Sequence, residues 1–164
     1  MTLREHLESI PFAYWQNDRV IIRPMKTEAD LIWAAYECQL NEDQRELVSP
    51  MWFLIGRAYL SREDNYPCII CNRENQPIGF INLCKWIGAG NAYSWSFFID
   101  RHHQGKGLGR STAELAIALL KFGNPEQPIR LATEVCNEKA QRLYRFLGFQ
   151  KLPELDGDDL VFGL

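Results

Sequence analysis

"SFFIDRHHQGKGLGRST", residues 96–112, runs from an aromatic segment into an alanine- and leucine-rich one through glycines at 105, 107 and 109. Trp95, Phe97 and Ile99 alternate onto one face, as a half-buried strand requires. "STAELAIALLKFG" (111–123) carries Ala113, Ala116, Ile117 and Leu120 on one stripe and stops at Gly123-Asn124-Pro125, so it reads as a helix. A strand that enters a helix through glycines aims several amide N–H groups and the positive end of the helix dipole at one point, which suits phosphate. Glycine lets ligand oxygens approach the amides and supplies the positive φ such a turn needs. The loop Gln104, Gly105, Lys106, Gly107, Leu108, Gly109, Arg110 is therefore expected to bind phosphate by its main chain, with Lys106 and Arg110 adding charge at the rim. The P-loop pattern G-x-x-x-x-G-K-[ST] is absent, and the dinucleotide pattern G-x-G-x-x-G fails because position 110 is Arg. Both common nucleotide motifs are thereby disfavoured.

The flanks set the topology. Upstream, "YPCIICNR", "QPIGFINLCKWI" and "AYSWSFFID" are three strands joined by "ENQP" and "GAGN", short turn sequences that imply antiparallel hairpins. Before them, "RVIIRPM" (19–25) reads as a strand. "TEADLIWAAYECQL" then reads as a helix capped by Thr27, with Leu31, Ala34, Ala35 and Cys38 as its apolar stripe. A second helix lies in "SPMWFLIGRAYLSRED", entered through Pro50, and the polar segment "NEDQREL" separates the two. Downstream, "PIRLATEV" is a strand. "NEKAQRLYRFLGF" is a helix capped by Asn137 and striped by Ala140, Leu143, Tyr144 and Leu147, and "LVFGL" is a last short strand. This order predicts one α/β domain over 1–164, a central mixed but mostly antiparallel sheet with helices on both faces.

A chain of 164 residues is long enough to bury its own core. The net charge of −3 lacks the basic footprint of a nucleic-acid binder. No apolar run reaches the roughly 18 residues of a membrane span, and the charged N-terminus lacks an apolar leader core, so neither membrane nor nucleic acid is expected as a partner and a cytoplasmic location is. Five cysteines lack paired zinc spacing; Cys68 and Cys71, three apart in a strand, should point to opposite faces, so no metal is expected.

The pattern Gln104-x-x-Gly107-x-Gly109 after "SFFID", followed at the right distance by "NEKAQRLYRFLGF", resembles the GCN5-related N-acetyltransferase (GNAT) family, and the resemblance covers nearly the whole chain. Within that family, "SFFIDRHHQGKGLG", the later helix and the ending "PELDGDDLVFGL" are most similar to bacterial spermine/spermidine (diamine) N-acetyltransferases. The resemblance implies a GNAT-like fold with a splayed central strand pair, acetyl-CoA as co-substrate, and acetyl transfer to a small-molecule amine, a polyamine, in a ternary complex. It implies that residues 104–110 hold the coenzyme's pyrophosphate. It also implies that the strand before them bulges away from "RLATEV", so that Phe97, Phe98 and Ile99 contact the pantetheine arm and acetyl group. Asn137 would cap its helix and touch the coenzyme. Tyr144, a core residue by spacing alone, would be the general acid for the departing thiolate. Glu42, Asp43 and Glu46, at the junction where the family often builds its acceptor site, would attract a cationic amine; a solvated charged turn is the more ordinary explanation of them. Many members carry a base glutamate where this chain has Tyr93, so the proton-removal route is left open. His102 and His103 read as surface residues beside the loop. Protein lysine or N-terminal amines, an aminoglycoside, and a non-catalytic acyl-CoA sensor remain as alternatives. Dimers are common among such proteins, so a homodimer is compatible with the resemblance, although no self-complementary patch is visible.

Overall fold

Hairpin turns and β-branched runs build the larger of two sheets. The computed structural model describes all 164 residues. β1 (Ile21–Pro24), β2 (Asn65–Cys71), β3 (Pro77–Lys85) and β4 (Tyr93–Ile99) form a four-stranded antiparallel sheet in sequence order. Asn75 and, beyond the β3 end, Gly90 and Asn91 take the positive φ that the connecting turns need. β5 (Arg130–Thr133), β7 (Asp159–Gly163) and β6 (Gln150–Asp156) form a second, three-stranded sheet with β7 central.

The two sheets meet between β4 and β5, and only at one end: Tyr93 and Ile129 make a single parallel bridge, and the Tyr93 amide donates to the Pro128 carbonyl at 2.9 Å. Beyond that bridge the strands part, which is the splayed pair expected from the resemblance. The expected bulge in β4 is absent. Its register against β3 runs without a shift from Lys85 opposite Tyr93 to Gly79 opposite Ile99, and the irregularities lie instead at Ile70/Cys71 and Lys151/Leu155.

Helices cover both faces of the larger sheet. One face packs α1 (Leu3–Glu8) and α5 (Leu108–Leu120) over Ile22, Cys68, Ile70, Ile81, Leu83, Trp95 and Ile99. The other packs α4 (Met51–Leu60), with Trp33 and Ala34 from the turn that follows α2 (Glu28–Ile32), over Ile69, Cys71, Phe80 and Phe98. Cys68 and Cys71 thus face opposite cores, both as free thiols. α6 (Glu138–Phe146) lies against the second sheet, with Tyr144 packed on Phe149 and Phe162.

Several expectations need correction. α2 is capped by Thr27 as read, but after Ile32 it widens into a π-helical turn, Trp33–Glu37, closed by the Cys38 amide donating to the Trp33 carbonyl at 2.8 Å. The inserted residue changes the spacing after Ile32, and of the expected stripe Ala34 is buried and Cys38 half-buried while Leu31 and Ala35 are exposed. "NEDQREL" is not a bare turn: Glu42–Arg45 forms a short helix, α3. Two elements escaped the sequence reading. α1 buries Leu3 and Leu7, and β6 crosses Pro153, a residue tolerated because β6 is an edge strand. No helix is long and apolar enough to cross a membrane.

Candidate active site

The phosphate-loop reading requires amides without partners. Among residues 104 to 110 no main-chain N–H donates a hydrogen bond within the protein. Gly105 and Gly107 hold φ of 73° and 77°, and Gly107 is the N-cap of α5, so consecutive free amides and the first turn of a 13-residue helix share one concavity. The expected rim charges are present but tethered: Lys106 Nζ donates to the His102 carbonyl at 3.1 Å, and the Arg110 guanidinium lies 3.8 Å from the Phe146 ring centroid while its Nε donates to Glu114.

The base of the loop is pinned from two sides. Asp100 is buried, and its carboxylate accepts from the amides of Gln39 (2.8 Å) and His102 (3.0 Å). Burial pushes its pKa up, but these amides and the His102 ring outweigh that and hold it below the usual range. His102 is mostly exposed, as expected. Gln104 uses its side chain as a clasp. Its Nε2 donates to the Ile99 carbonyl (2.8 Å) and to Gln44 Oε1 (2.7 Å), while Gln44 Nε2 donates back at 3.0 Å.

In β4 the alternation of an antiparallel ladder decides which backbone groups are free. Asp100 and Ala92 bond into β3, so the even-numbered residues between them spend their groups on that strand. Trp95, Phe97 and Ile99 turn theirs toward the gap with β5. Phe98 therefore differs from its neighbours: its main chain pairs with Phe80, and only its side chain is left to line the gap. Of the three strand residues nominated, Phe97 offers amide and carbonyl there and Ile99 its amide alone, because the Ile99 carbonyl is taken by Gln104 Nε2.

Two cavities open on this gap. One, of about 520 Å³, is lined by Gln104, Gly105, Gly107, Leu108, Gly109 and Arg110 together with Asp43, Phe97, Ile99 and Asn137. The other, of about 940 Å³, holds Tyr144, Trp86, Trp95 and Glu46. They share Leu47, Val48, Phe97, Phe98, Asn137, Ala140 and Leu143 as a common wall, so a ligand seated on the loop can reach the second cavity past β4. The α6 stripe is only half-buried because it forms this wall. Asn137 caps α6 by accepting from the Ala140 amide at 3.1 Å. Burial pushes the Tyr144 phenol up to about 12, so its proton stays on at neutral pH.

The acidic residues divide. Glu46 lines the larger cavity and Asp43 the smaller, whereas Glu42 is exposed and lines neither. The sequence reading missed a stronger set. Glu134, Asp156 and Asp159 stand across the ends of β5, β6 and β7 on the wall of the larger cavity, beside Glu154, which is paired with Arg130. Partial burial, then the charges of Glu134, Asp156 and Asp158, raise the Asp159 carboxyl above its ordinary range. The signal was the run Asp156-Gly157-Asp158-Asp159, whose Gly157 at φ 60° turns the β6–β7 hairpin toward the cavity. Tyr93 lines neither cavity and packs against His6, with ring centroids 5.8 Å apart.

The family described as "Acetyltransferase (GNAT) family" matches residues 28–149. A protein named "Probable spermine N(1)-acetyltransferase" from Bacillus subtilis subsp. natto is 40% identical over 67 residues, a match spanning 41% of this chain and 44% of that relative's length. Among solved structures, a spermidine N-acetyltransferase from Vibrio cholerae in complex with CoA and spermine superposes with a TM-score of 0.67 at 18% identity, covering 90% of this chain and 94% of that one. The GNAT domain of an S. lividans protein reaches 0.71 at 12% identity, over 95% and 99% of the two chains. An aminoglycoside acetyltransferase in complex with coenzyme A gives 0.68 at 22%, over 88% and 94%. At these identities the structural matches establish the fold.

Proposed function

Since the chain belongs to the acetyltransferase (GNAT) family, we propose that it transfers the acetyl group of acetyl-CoA to a primary amine of a linear polyamine, by direct attack while both substrates are bound. The observation that carries this reading is the pair of cavities sharing one wall across the β4–β5 gap, one floored by free amides and the other edged by carboxylates. The free amides of residues 104–110 suit a diphosphate, and the outward groups of Trp95 and Phe97, with the Ile99 amide, suit the amides of a pantetheine arm. That arm carries the thioester past Phe97 toward Tyr144.

In the second cavity the neutral amine attacks the thioester carbonyl, the carbon–sulfur bond breaks, the thiolate takes a proton, and the extra proton on the attacking nitrogen leaves as the amide forms and restores the donor. The Tyr144 phenol is the donor, since burial keeps it protonated. The cationic amine must first lose a proton, and Asp159, with its raised carboxyl, is the acceptor best suited among the wall residues. Glu46, Glu134 and Asp156 would hold the remaining ammonium groups of a polyamine. The polyamine relatives in the comparisons support this choice of acceptor.

The test is thiol release from acetyl-CoA with spermidine, spermine, a monoamine and a lysine peptide. Faster turnover of the two polyamines at equal concentration is expected. Equal rates for monoamine or peptide would remove the polyamine assignment, and no turnover on any amine despite tight coenzyme binding would remove the enzymatic one.

A further inference from the structure

Arg19 lies in the segment before β1, outside residues 28–149 matched by the family. Its guanidinium donates to the Lys106 carbonyl at 2.6 Å, the shortest hydrogen bond made by the glycine loop. The segment that carries it is itself anchored. Asn17 Nδ2 donates to the Ser111 carbonyl in the first turn of α5 (2.9 Å), the amides of Arg19 and Val20 both donate to Asn17 Oδ1, and Arg73 clamps the Gln16 side chain and the Asn17 carbonyl at 2.9 Å. Arg19 therefore reaches the loop from a fixed base.

A trans peptide is planar, with its C=O and N–H pointing in opposite directions, and this chain contains no cis bond. Pinning the Lys106 carbonyl toward Arg19 consequently aims the Gly107 amide the other way. Gly107 lines the loop cavity, and its N–H has no partner within the protein. Gly107, at φ 77°, has no Cβ to restrict that angle, so this peptide plane depends on an outside contact to hold it. Arg19 NH1 also sits on that outer side, 3.6 Å from where a Gly107 side chain would begin.

We propose that Arg19 is a positioning residue for coenzyme binding: by holding the Lys106 carbonyl from behind, it fixes the Gly107 amide toward the coenzyme's diphosphate and adds a positive charge at the back of the loop. This rests on the coenzyme reading of that loop.

Calorimetric titration of the whole protein with coenzyme A and with dephospho-coenzyme A, which keeps the diphosphate but lacks the 3′-phosphate, tests it. Arg19→Ala should weaken both ligands about tenfold, the effect of one charge-assisted hydrogen bond. The coenzyme KM should rise in step while kcat at saturation and the amine KM hold, and Arg19→Lys should recover most of the loss. Unchanged affinity in Arg19→Ala overturns the proposal, as does a loss for coenzyme A alone, which would make Arg19 a direct 3′-phosphate ligand. A wild-type protein that binds neither ligand would instead bring down the coenzyme reading itself.

Discussion

At the scale of single residues, Tyr144 shows how much one side chain's meaning depends on what surrounds it. Its ring packs between Phe149 and Phe162, with centroids 5.8 and 5.6 Å away, so Tyr144→Phe fills the same space and should fold as the wild type does. Losing the proton donor should lower kcat roughly 100-fold while coenzyme affinity stays within about twofold. The wild-type rate should not fall on the alkaline side through loss of this proton until pH approaches the raised pKa of about 12. Helical spacing places Tyr144 beside Leu143 on an apolar stripe and says nothing of a cavity; only the family pattern singled it out. Asp159 was harder still. Its character depends on Glu134, 25 positions earlier in the chain, arriving next to it because Thr133 pairs with Leu160.

At the scale of elements, β3 and β4 are held unusually close. A Cβ at Gly79 would come within 2.5 Å of the Phe98 carbonyl oxygen, a backbone atom that cannot swing away. Gly79→Ala should therefore cost about 1–3 kcal/mol in chemical unfolding. It should also displace β4 and weaken coenzyme binding, although residue 79 touches neither cavity. Gly109 offers the contrast, since a Cβ there would meet Phe97 only at an ordinary 3.8 Å. Strands with hairpin turns, capped helices and the glycine loop were legible because their determinants are local. The π-helical turn after Ile32 and the short α3 were not, because they answer to distant partners. Asp100 receives the Gln39 amide, the Gln39 carbonyl receives that of Arg101, and Gln104 grips Gln44. A periodicity argument has no access to those contacts, and the bulge that the family resemblance implied for β4 does not occur here.

At the scale of the whole molecule, the two sheets share one continuous core that includes Trp95 and Phe162, yet their strands are joined by a single bridge. The order of elements predicts one central sheet, and only the family resemblance made the split foreseeable. The acidic edge of the larger cavity was not, because it is assembled from the ends of β5, β6 and β7, and β6 was itself unread. The parted strands leave a signature that deuterium exchange can read. Without ligand, the amide hydrogens of Trp95, Phe97 and Ile99 should exchange fast while those of Ser94, Ser96 and Phe98 are slow, a two-residue rhythm of protection within one strand. A molecule that occupies the gap should abolish the rhythm, and uniform slow exchange in its absence would mean that the two sheets close on each other in solution.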